Sequence, residues 1–360
     1  MPHALTELKL TAVTKPVHAP DHDIRADVCV VGAGIAGLSA AIESALLGRD
    51  VVLVDSLPLI GAQMVHSLVG LFCGVFGNAP RYTQLTHGVF DDIFRDLGPT
   101  GDLHFQRGHT TTVYYNEVAL GRWLERRILA LGVRTILGTV LQQVDIRDGR
   151  IERISLASRY GNVSVTATGF LDASGDAALT WEAGLPCWVP ERPIYGSQQV
   201  IVENVDENHK PDPAEMDACI AAGGGDYGLL RRGGLAFYFP GRGTAVLNVT
   251  HIEAPLDPVH ASQAQLAGKA QADGATRCCA RSSRRHSAKP GCVPTATRDG
   301  GRPAGSRAGT SSPSTRSGPG PGFRTRWRGP PGRSSCTTAP TDTCGKSSRP
   351  TTSTTCRCAA

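Results

Sequence analysis

The sequence predicts an α/β fold, followed by a mainly β region and a C-terminal tail without a core. Three observations support this prediction. A strand, a glycine-rich turn, a helix and a second strand follow one another within residues 27–55. Several strands separated by short turns follow between residues 133 and 173. From residue 268 onwards the large apolar residues almost disappear.

The first unit begins with the apolar, β-branched run DVCVV at residues 27–31, which is typical of a buried parallel strand. Residues 36–48 form a small-residue helical pattern that ends at Gly48. A second apolar run, DVVLVD at residues 50–55, predicts the next buried strand. The order of these elements indicates a βαβ unit.

The turn between the first strand and the helix has the pattern G-x-G-x-x-G at Gly32, Gly34 and Gly37. The three glycines allow, in order, a tight turn, close approach of the backbone to a pyrophosphate, and close packing of helix on strand. Asp55 ends the second strand, where a carboxylate can accept hydrogen bonds from an adenosine ribose. The pattern therefore predicts a dinucleotide site. A turn without a ligand, or a site for NAD, is the alternative.

The following residues predict one more helix, an antiparallel β-meander and a second sheet. The helix covers residues 116–132, with Asn116 as N-cap and Gly132 as its stop. The meander strands are expected at 133–137, 139–146, 150–157 and 163–173, the second-sheet strands at 197–205, 234–241 and 244–252, and a further helix at 257–275.

Two segments resemble the FAD-dependent oxidoreductases of the glutathione-reductase-like fold. They are the stretch from DVCVVGAGIAGLSAAI to LIGAQ and the later stretch GFLDASGDAAL at residues 169–179. The meander between them fits that family, whereas an NAD-type Rossmann domain would continue with alternating strands and helices. The resemblance covers roughly residues 27–275. It implies an FAD/NAD(P)-binding Rossmann-like domain with an inserted, mainly β substrate domain, FAD as cofactor, and hydride transfer with a small organic substrate.

The resemblance also implies a set of cofactor-binding residues. Ala62 stands where family members commonly have a second glycine, and Val140 matches a position near the adenine. The DASGD turn is also typical of any capped strand-to-helix turn, which is the alternative interpretation. The implied residues are Gly32, Ala33, Gly34, Ala36, Gly37, Asp55, Ser56, Gly61, Ala62, Val140, Ala173, Gly175 and Asp176.

No catalytic residue is assigned, because a flavin itself carries the redox chemistry. His66 is expected to be a hydrogen-bonded structural histidine, although its position before a serine resembles a histidine that tethers flavin in succinate dehydrogenases. Cys73 has no C-x-x-C partner and is expected to be a small core residue.

Substrate contacts are expected from a cluster of residues at the start of the second sheet. An arginine in this cluster can hold a carboxylate, or it can be an ordinary surface residue. Neither the histidines His104, His109 and His251 nor the tail cysteines have metal-ligand spacing, so no metal is predicted. The cluster consists of Arg192, Tyr195, Gln198 and Gln199.

The C-terminal tail differs from the rest of the chain in charge. Residues 268–360 contain 14 Arg, 3 Lys and 3 Asp, a net charge of +14, whereas the first 267 residues carry −9. With so few apolar side chains, the tail is expected to be disordered. Its Arg, Pro, Ser and Cys content is typical of a GC-rich coding sequence read in a shifted frame, so we hypothesise loss of the frame near residue 277. Retranslation in the other two frames tests this hypothesis.

These observations divide the chain into a flexible leader (1–25), an FAD-binding domain (26–185), a partial substrate domain (186–267) and the tail (268–360). The resemblance implies that a C-terminal segment returns to the first domain and closes the flavin site, and no segment of the tail matches it. The chain is therefore expected to bind FAD weakly or not at all and to be inactive if the site stays open. The alternative is a non-catalytic nucleotide-binding protein whose basic tail binds nucleic acid, a partner that we consider less favoured. No membrane span or secretory signal is evident, so a cytoplasmic location is expected; the electron acceptor is left open.

Overall fold

The computed structural model describes residues 22–189, 191, 194–208, 212–285 and 307–308. The strands are β1 (His22–Val31), β2 (Val51–Asp55), β3 (Leu71–Phe72), β4 (Leu103–Arg107), β5 (Thr111–Tyr115), β6 (Arg134–Leu137), β7 (Val140–Arg147), β8 (Arg150–Ser158), β9 (Gly161–Asp172), β10 (Val200–Glu203), β11 (Leu235–Tyr238), β12 (Thr244–Asn248) and β13 (Arg307–Ala308). The helices are α1 (Ile35–Leu46), α2 (Ala62–Val65), α3 (Val89–Leu97), α4 (Glu117–Ala130), α5 (Ala178–Glu182), α6 (Pro213–Gly223) and α7 (Pro258–Arg285).

A six-stranded sheet with the order β6-β2-β1-β9-β8-β7 forms the centre of the first unit. Strands β6, β2, β1 and β9 are parallel, while β7, β8 and β9 form an antiparallel meander. Strand β1 lies between β2 and β9, so the turns that follow these three strands lie at one edge of the sheet. The fold class is therefore the predicted α/β class.

Two sequence predictions in this sheet need correction. Strand β1 begins at His22, inside the predicted leader, because β9 provides backbone partners from Val163 onwards. Strand β6 was predicted to belong to the meander, but it pairs in parallel with β2, starting at Val52 and Arg134. The reason is topological: α4 returns the chain to begin a new parallel strand, and the meander starts only after Gly138.

The two faces of the parallel strands are buried against different partners. Val30 and Leu53 pack in the core that contains α1, α3 and α4. Their neighbours Cys29 and Val52 pack against the meander, together with Ile154. Because side chains alternate across a strand, burial of both faces explains the uninterrupted apolar runs in the sequence.

Helix α4 forms as the sequence predicts. The Asn116 side chain accepts hydrogen bonds from the amides of Val118 and Ala119, which have no partner within the helix. Gly132 follows the helix with a positive φ of 68°. Apolar residues at helical spacing form the buried face of this helix: Leu120, Trp123, Leu124 and Ile128.

Along the chain, β2 is followed by a region that forms helix α3 and a small sheet with the order β3-β5-β4 before α4 begins. The sequence interpretation assigned no elements to this region. Phe72 of β3 contacts Phe90 of α3 and Tyr115 of β5, with ring centroids 5.0 and 4.4 Å apart. These contacts extend the core of the first unit.

The second unit has an antiparallel sheet with the order β11-β12-β10-β13. Helices α6 and α7 pack on this sheet through a core that includes Val200, Met216 and Leu247. Helix α7 continues to Arg285, so the prediction of disorder from residue 268 is wrong for its first part. Alanine favours the helix, and the small side chains in this segment pack closely. The buried ones are Ala272, Ala275 and Cys278.

Most of the predicted tail, residues 286–306 and 309–360, lies outside the described residues. Among the described helices, none combines the length and the apolar character that a membrane crossing requires.

Replacement of Asn116 by Ala is expected to lower the free energy of unfolding by about 1 kcal/mol, because two amides at the start of α4 lose their acceptor. Denaturant titration measures the effect. Asn116→Ser keeps an acceptor at this position and should retain most of the stability. Equal losses in the two variants would contradict a capping role.

Candidate cofactor site

The candidate site is formed by the turns that follow β1, β2 and β9. The carboxylate of Asp55, at the end of β2, accepts a hydrogen bond from the amide of Ala33 in the first turn. The amide of Gly61 donates to the carbonyl of Ala33 over 2.8 Å. In the third turn the amide of Ala173 donates to the carbonyl of Val31, also over 2.8 Å. The structure thus brings the two predicted motifs together.

The three glycines of the first turn are required for different reasons. Gly32 has a φ of +107°, and a Cβ there would overlap the carbonyl oxygen of Ala173. A Cβ on Gly37 would overlap the carbonyl oxygen of Gly32. Gly34, by contrast, has a φ of −77°, and its nearest protein neighbour would be the Cβ of Ala62 at 3.6 Å. Packing within the described residues therefore explains Gly32 and Gly37 but leaves Gly34 unexplained.

Helix α1 presents an uncapped N-terminus at this turn. Gly34 is its N-cap, no side chain accepts a hydrogen bond from the first turn, and that turn has no acidic residue. The free amides and the helix dipole, equivalent to about half a positive charge, favour an anion there. The residues present therefore fit a diphosphate that approaches Gly34.

Asp55 has a structural role besides the predicted one. Its Oδ2 accepts from the amide of Ala33, and its Oδ1 accepts from the amide of Leu57 over 2.6 Å. The carboxylate therefore fixes the glycine turn against the end of β2. An ionised carboxylate has about four acceptor positions, so lone pairs are left for the hydroxyls of a ribose.

Gly61 and Ala62 form a left-handed turn opposite Gly34. Their φ angles are +97° and +36°. Glycine adopts such angles freely, whereas alanine pays a steric cost. The departure from the family pattern at Ala62 therefore places a strained methyl group opposite Gly34.

The DASGD turn is fixed by the carboxylate of Asp172. This carboxylate accepts hydrogen bonds from the backbone and hydroxyl groups of both Ser174 and Thr180. Desolvation raises the pKa of Asp172, but these hydrogen bonds outweigh it and hold the pKa below its ordinary value. The capped turn that was the alternative interpretation is thus present. Gly175 and Asp176 follow it and are exposed.

Val140 and Ser56 lie at the outer end of the site. The amides of Gly138 and Thr139 donate to the carbonyls of Leu57 and Asp55, each over 3.0 Å, so the turn before β7 lies beside the turn after β2. Val140 is 59% exposed, and Ser56 is exposed. Both can therefore be reached by a ligand that extends from Asp55.

The prediction for His66 is confirmed, whereas the prediction for Cys73 is not. The Nε2 of His66 lies 2.7 Å from the carbonyl oxygen of Ile60, to which it donates, and the ring is half-buried. This arrangement is that of the expected structural histidine. Cys73 is exposed, so the expectation of a core residue is wrong. Strand β3 ends at Phe72, and Cys73 lies in the turn beyond it.

The residues predicted to contact substrate do not share one environment in the structure. Arg192 lies outside the described residues, and Gln198 and Gln199 are buried at 2% and 7% exposure. Tyr195 is 44% exposed and stacks on His251, with ring centroids 4.8 Å apart. Burial, and then the charge of Arg231, lower the pKa of His251. The glutamines therefore belong to the interior of the second unit.

Sequence reasoning missed Leu57 and Thr139, whose backbone groups join the turns after β2 and β6. No side-chain pattern signals such backbone contacts. In the described part of the chain, no group of three or more His, Cys, Asp or Glu side chains is placed to hold a metal ion.

The fold and the three turns are those of a dinucleotide-binding α/β domain. A glycine turn opens onto the N-terminus of α1, an acid ends β2, and a meander leads back to β9 beside β1. The model of the FAD dependent oxidoreductase family matches residues 27–286, and the chain belongs to this family, with FAD as its cofactor.

Comparison with solved structures finds distant similarity. A geranylgeranyl bacteriochlorophyll reductase-like protein from Thermoplasma acidophilum is 17% identical over 67% of this chain and 60% of its own, with a TM-score of 0.43. The p-nitrophenol 4-monooxygenase PnpA from Pseudomonas putida is 12% identical over 77% and 65%, with a TM-score of 0.45.

An aromatic hydroxylase of angucycline biosynthesis, CabE, is 15% identical over 65% of this chain and 46% of its own, with a TM-score of 0.42. The chain thus spans between 46 and 65% of the length of these three proteins. No curated protein matches the chain.

Replacement of Ala62 by Gly is expected to raise the free energy of unfolding by about 1 kcal/mol, because the strained φ of +36° is relieved. Denaturant titration without added flavin measures it. Ala40→Gly, in the middle of α1, should instead lower stability by a similar amount. A loss of stability in both variants would contradict strain at Ala62.

Asp172 is expected to make stability depend on pH in the acid range. Its folded pKa lies below the unfolded value, so its contribution is present above the unfolded pKa and is lost as pH falls through the folded pKa. Asp172→Asn should weaken this loss, measured as the melting temperature between about pH 5 and pH 2. Asp176→Asn, at an exposed position, should keep the wild-type profile. Matching profiles for wild type and Asp172→Asn would contradict the prediction.

Proposed function

We propose that this chain binds the diphosphate of FAD at the N-terminus of α1 and supports hydride transfer between the flavin and a small organic substrate. The observation that carries the proposal is the glycine at position 34. No contact within the described residues requires a glycine there, while the adjacent helix end offers amides without side-chain caps. A ligand that packs against the backbone accounts for both features.

In this proposal each turn binds a different part of the cofactor. The amides that follow Gly34 neutralise the diphosphate, with Gly32, Ala33, Ala36 and Gly37 shaping that turn. Asp55 and Ser56 hold the adenosine ribose, and Val140 lies near the adenine. Gly61 and Ala62 close the opposite side of the diphosphate. The residues proposed to meet the remaining part of the nucleotide, towards the flavin, are Ala173, Gly175 and Asp176.

The bound flavin supplies the redox chemistry, and the protein supplies orientation and electrostatics. The turns after β1, β2 and β9 would hold the cofactor at one edge of the sheet, and we infer that a small substrate binds between this cofactor and the second unit. The second unit then supplies the wall against which a small substrate is oriented. The buried sheet residues give that wall a rigid support.

We further infer that the reading frame changes near the end of α7. The family match ends at residue 286, and the composition changes in the same region. Cys278 packs in the core of the second unit, so the family-like structure continues slightly past residue 277. Loss of the frame would leave the flavin site open on one side, and FAD affinity is then expected to be low in this chain and higher in one with the frame restored.

Gly34→Ala tests the proposal. A Cβ at this position meets only ordinary contacts within the protein, so the unfolding free energy without flavin should fall by no more than about 1 kcal/mol, the cost of alanine at an N-cap. The added methyl group obstructs the diphosphate, so FAD affinity should fall at least about tenfold, equivalent to about 1.4 kcal/mol. Fluorescence titration with FAD measures the affinity.

Gly48→Ala is the matched control, since Gly48 ends α1 on the side away from the site and a Cβ there meets nothing within 4 Å. It should lose some stability because of its positive φ, but bind FAD as wild type does. Unchanged FAD affinity in Gly34→Ala would contradict the proposed diphosphate site.

A further inference from the structure

An ion pair joins the second unit to the first. Nη1 of Arg242, in the turn between β11 and β12, lies 2.9 Å from Oε2 of Glu117, the first residue of α4. The two side chains are 29% and 16% exposed. Partial burial reduces the screening that makes most surface ion pairs weak. This contact is therefore a candidate for fixing the relative position of the two units.

Arg242 is held in place within its own unit. The amides of Gly241 and Gly243 on either side of it donate to the carboxylate of Glu207 over 3.0 and 2.8 Å. Its guanidinium lies over the ring of Phe239, 4.2 Å from the centroid. An arginine held by its turn and by a ring loses little conformational freedom when it pairs with a carboxylate.

Glu117 connects this pair to the loop that leaves the candidate site. It lies in the first turn of α4, where the helix dipole favours a negative charge. Its Oε1 is so near Gly70 that a Cβ on that glycine would approach it to 3.3 Å. The carbonyl of Gly70 accepts from the amide of Tyr115 over 3.1 Å. Residues 66–70 follow α2, which begins at the Gly61–Ala62 turn.

We propose that Arg242 and Glu117 are positioning residues that set the second sheet against the loop 66–70, which α2 connects to the Gly61–Ala62 turn of the proposed cofactor site. The flavin part of this inference rests on the proposed function. The turn between β11 and β12 places Arg242 at the N-terminus of α4, where it pairs with Glu117. The Glu117 side chain also lies beside Gly70, so the ion pair links the second unit to the loop 66–70. A substrate bound by the second unit is thereby presented to the cofactor in one orientation.

The test uses the full chain and the variants Arg242→Gln, Glu117→Gln, their double variant, and Arg242→Lys. Hydrogen exchange of residues 66–72 and 239–243 is measured without flavin, and the visible absorption of the flavin is measured after loading with FAD. Each single Gln variant should speed exchange in both segments about tenfold, because either change removes the same contact. The double variant should match the single ones, and Arg242→Lys, which keeps the charge but loses the planar stacking on Phe239, should lie between wild type and the Gln variants.

Glu125→Gln is the matched control, because Glu125 pairs with Arg122 over 2.7 Å on the same helix and at more exposed positions. It should leave both segments and the flavin bands unchanged. The bands of the loaded chain should shift in the Gln variants and shift less in Arg242→Lys.

Unchanged exchange across the two segments in the single Gln variants would overturn the proposal. Faster exchange with unmoved flavin bands would overturn the positioning role while leaving the proposed function intact. Absence of FAD uptake at saturating FAD, both in this chain and in one with the frame restored, would overturn the proposed function, whereas the exchange without flavin would still decide whether the ion pair fixes the two segments.

Discussion

Close packing of backbone at the end of β1 is the constraint on which the site depends. Gly32 lies against Ala173, and Gly37 lies against Gly32, at distances that exclude any side chain. This packing lets β9 pair with β1 up to the last residue of each strand. The turns after β1 and β9 are therefore adjacent, although about 140 residues separate them in the sequence.

The carboxylate of Asp55 adds the third turn to this arrangement. It accepts amides from both Ala33 and Leu57, so the end of β2 is tied to the glycine turn before any ligand is considered. A residue expected only to bind ribose thus also shapes the site. Once the backbone is fixed in this way, the uncapped end of α1 is directed at a single position, the space before Gly34.

Local signals in the sequence predicted part of this structure. The G-x-G-x-x-G turn, the acid at the end of β2 and the Asn116 cap each depend on a few neighbouring residues, and each lies at the element boundary that the sequence predicts. The parallel pairing of β6 was missed, because strand partners are chosen by topology and not by local sequence. Cys73 was wrongly predicted to be buried because β3 is only two residues long, too short to show an alternation of apolar and polar residues.

Helix α3 and the end of α7 show two further limits. Helix α3 could have been predicted from the sequence, because its apolar residues have helical spacing: Val89, Phe90, Ile93 and Leu97. In α7, composition suggested disorder, whereas Ala272 and Ala275 are buried because their small size suits a close helix interface. Composition describes a segment on average, and a few well-placed small residues were enough to extend the core.

Amide chemical shifts test the central claim most directly. The chain is labelled with ¹⁵N glycine and alanine, and FAD is added in steps. The account predicts that the largest shifts occur at Gly34, Ala36 and Gly37, because their amides surround the diphosphate. Saturable FAD binding with unmoved signals from these three residues, and with the largest shifts elsewhere in the chain, would contradict it.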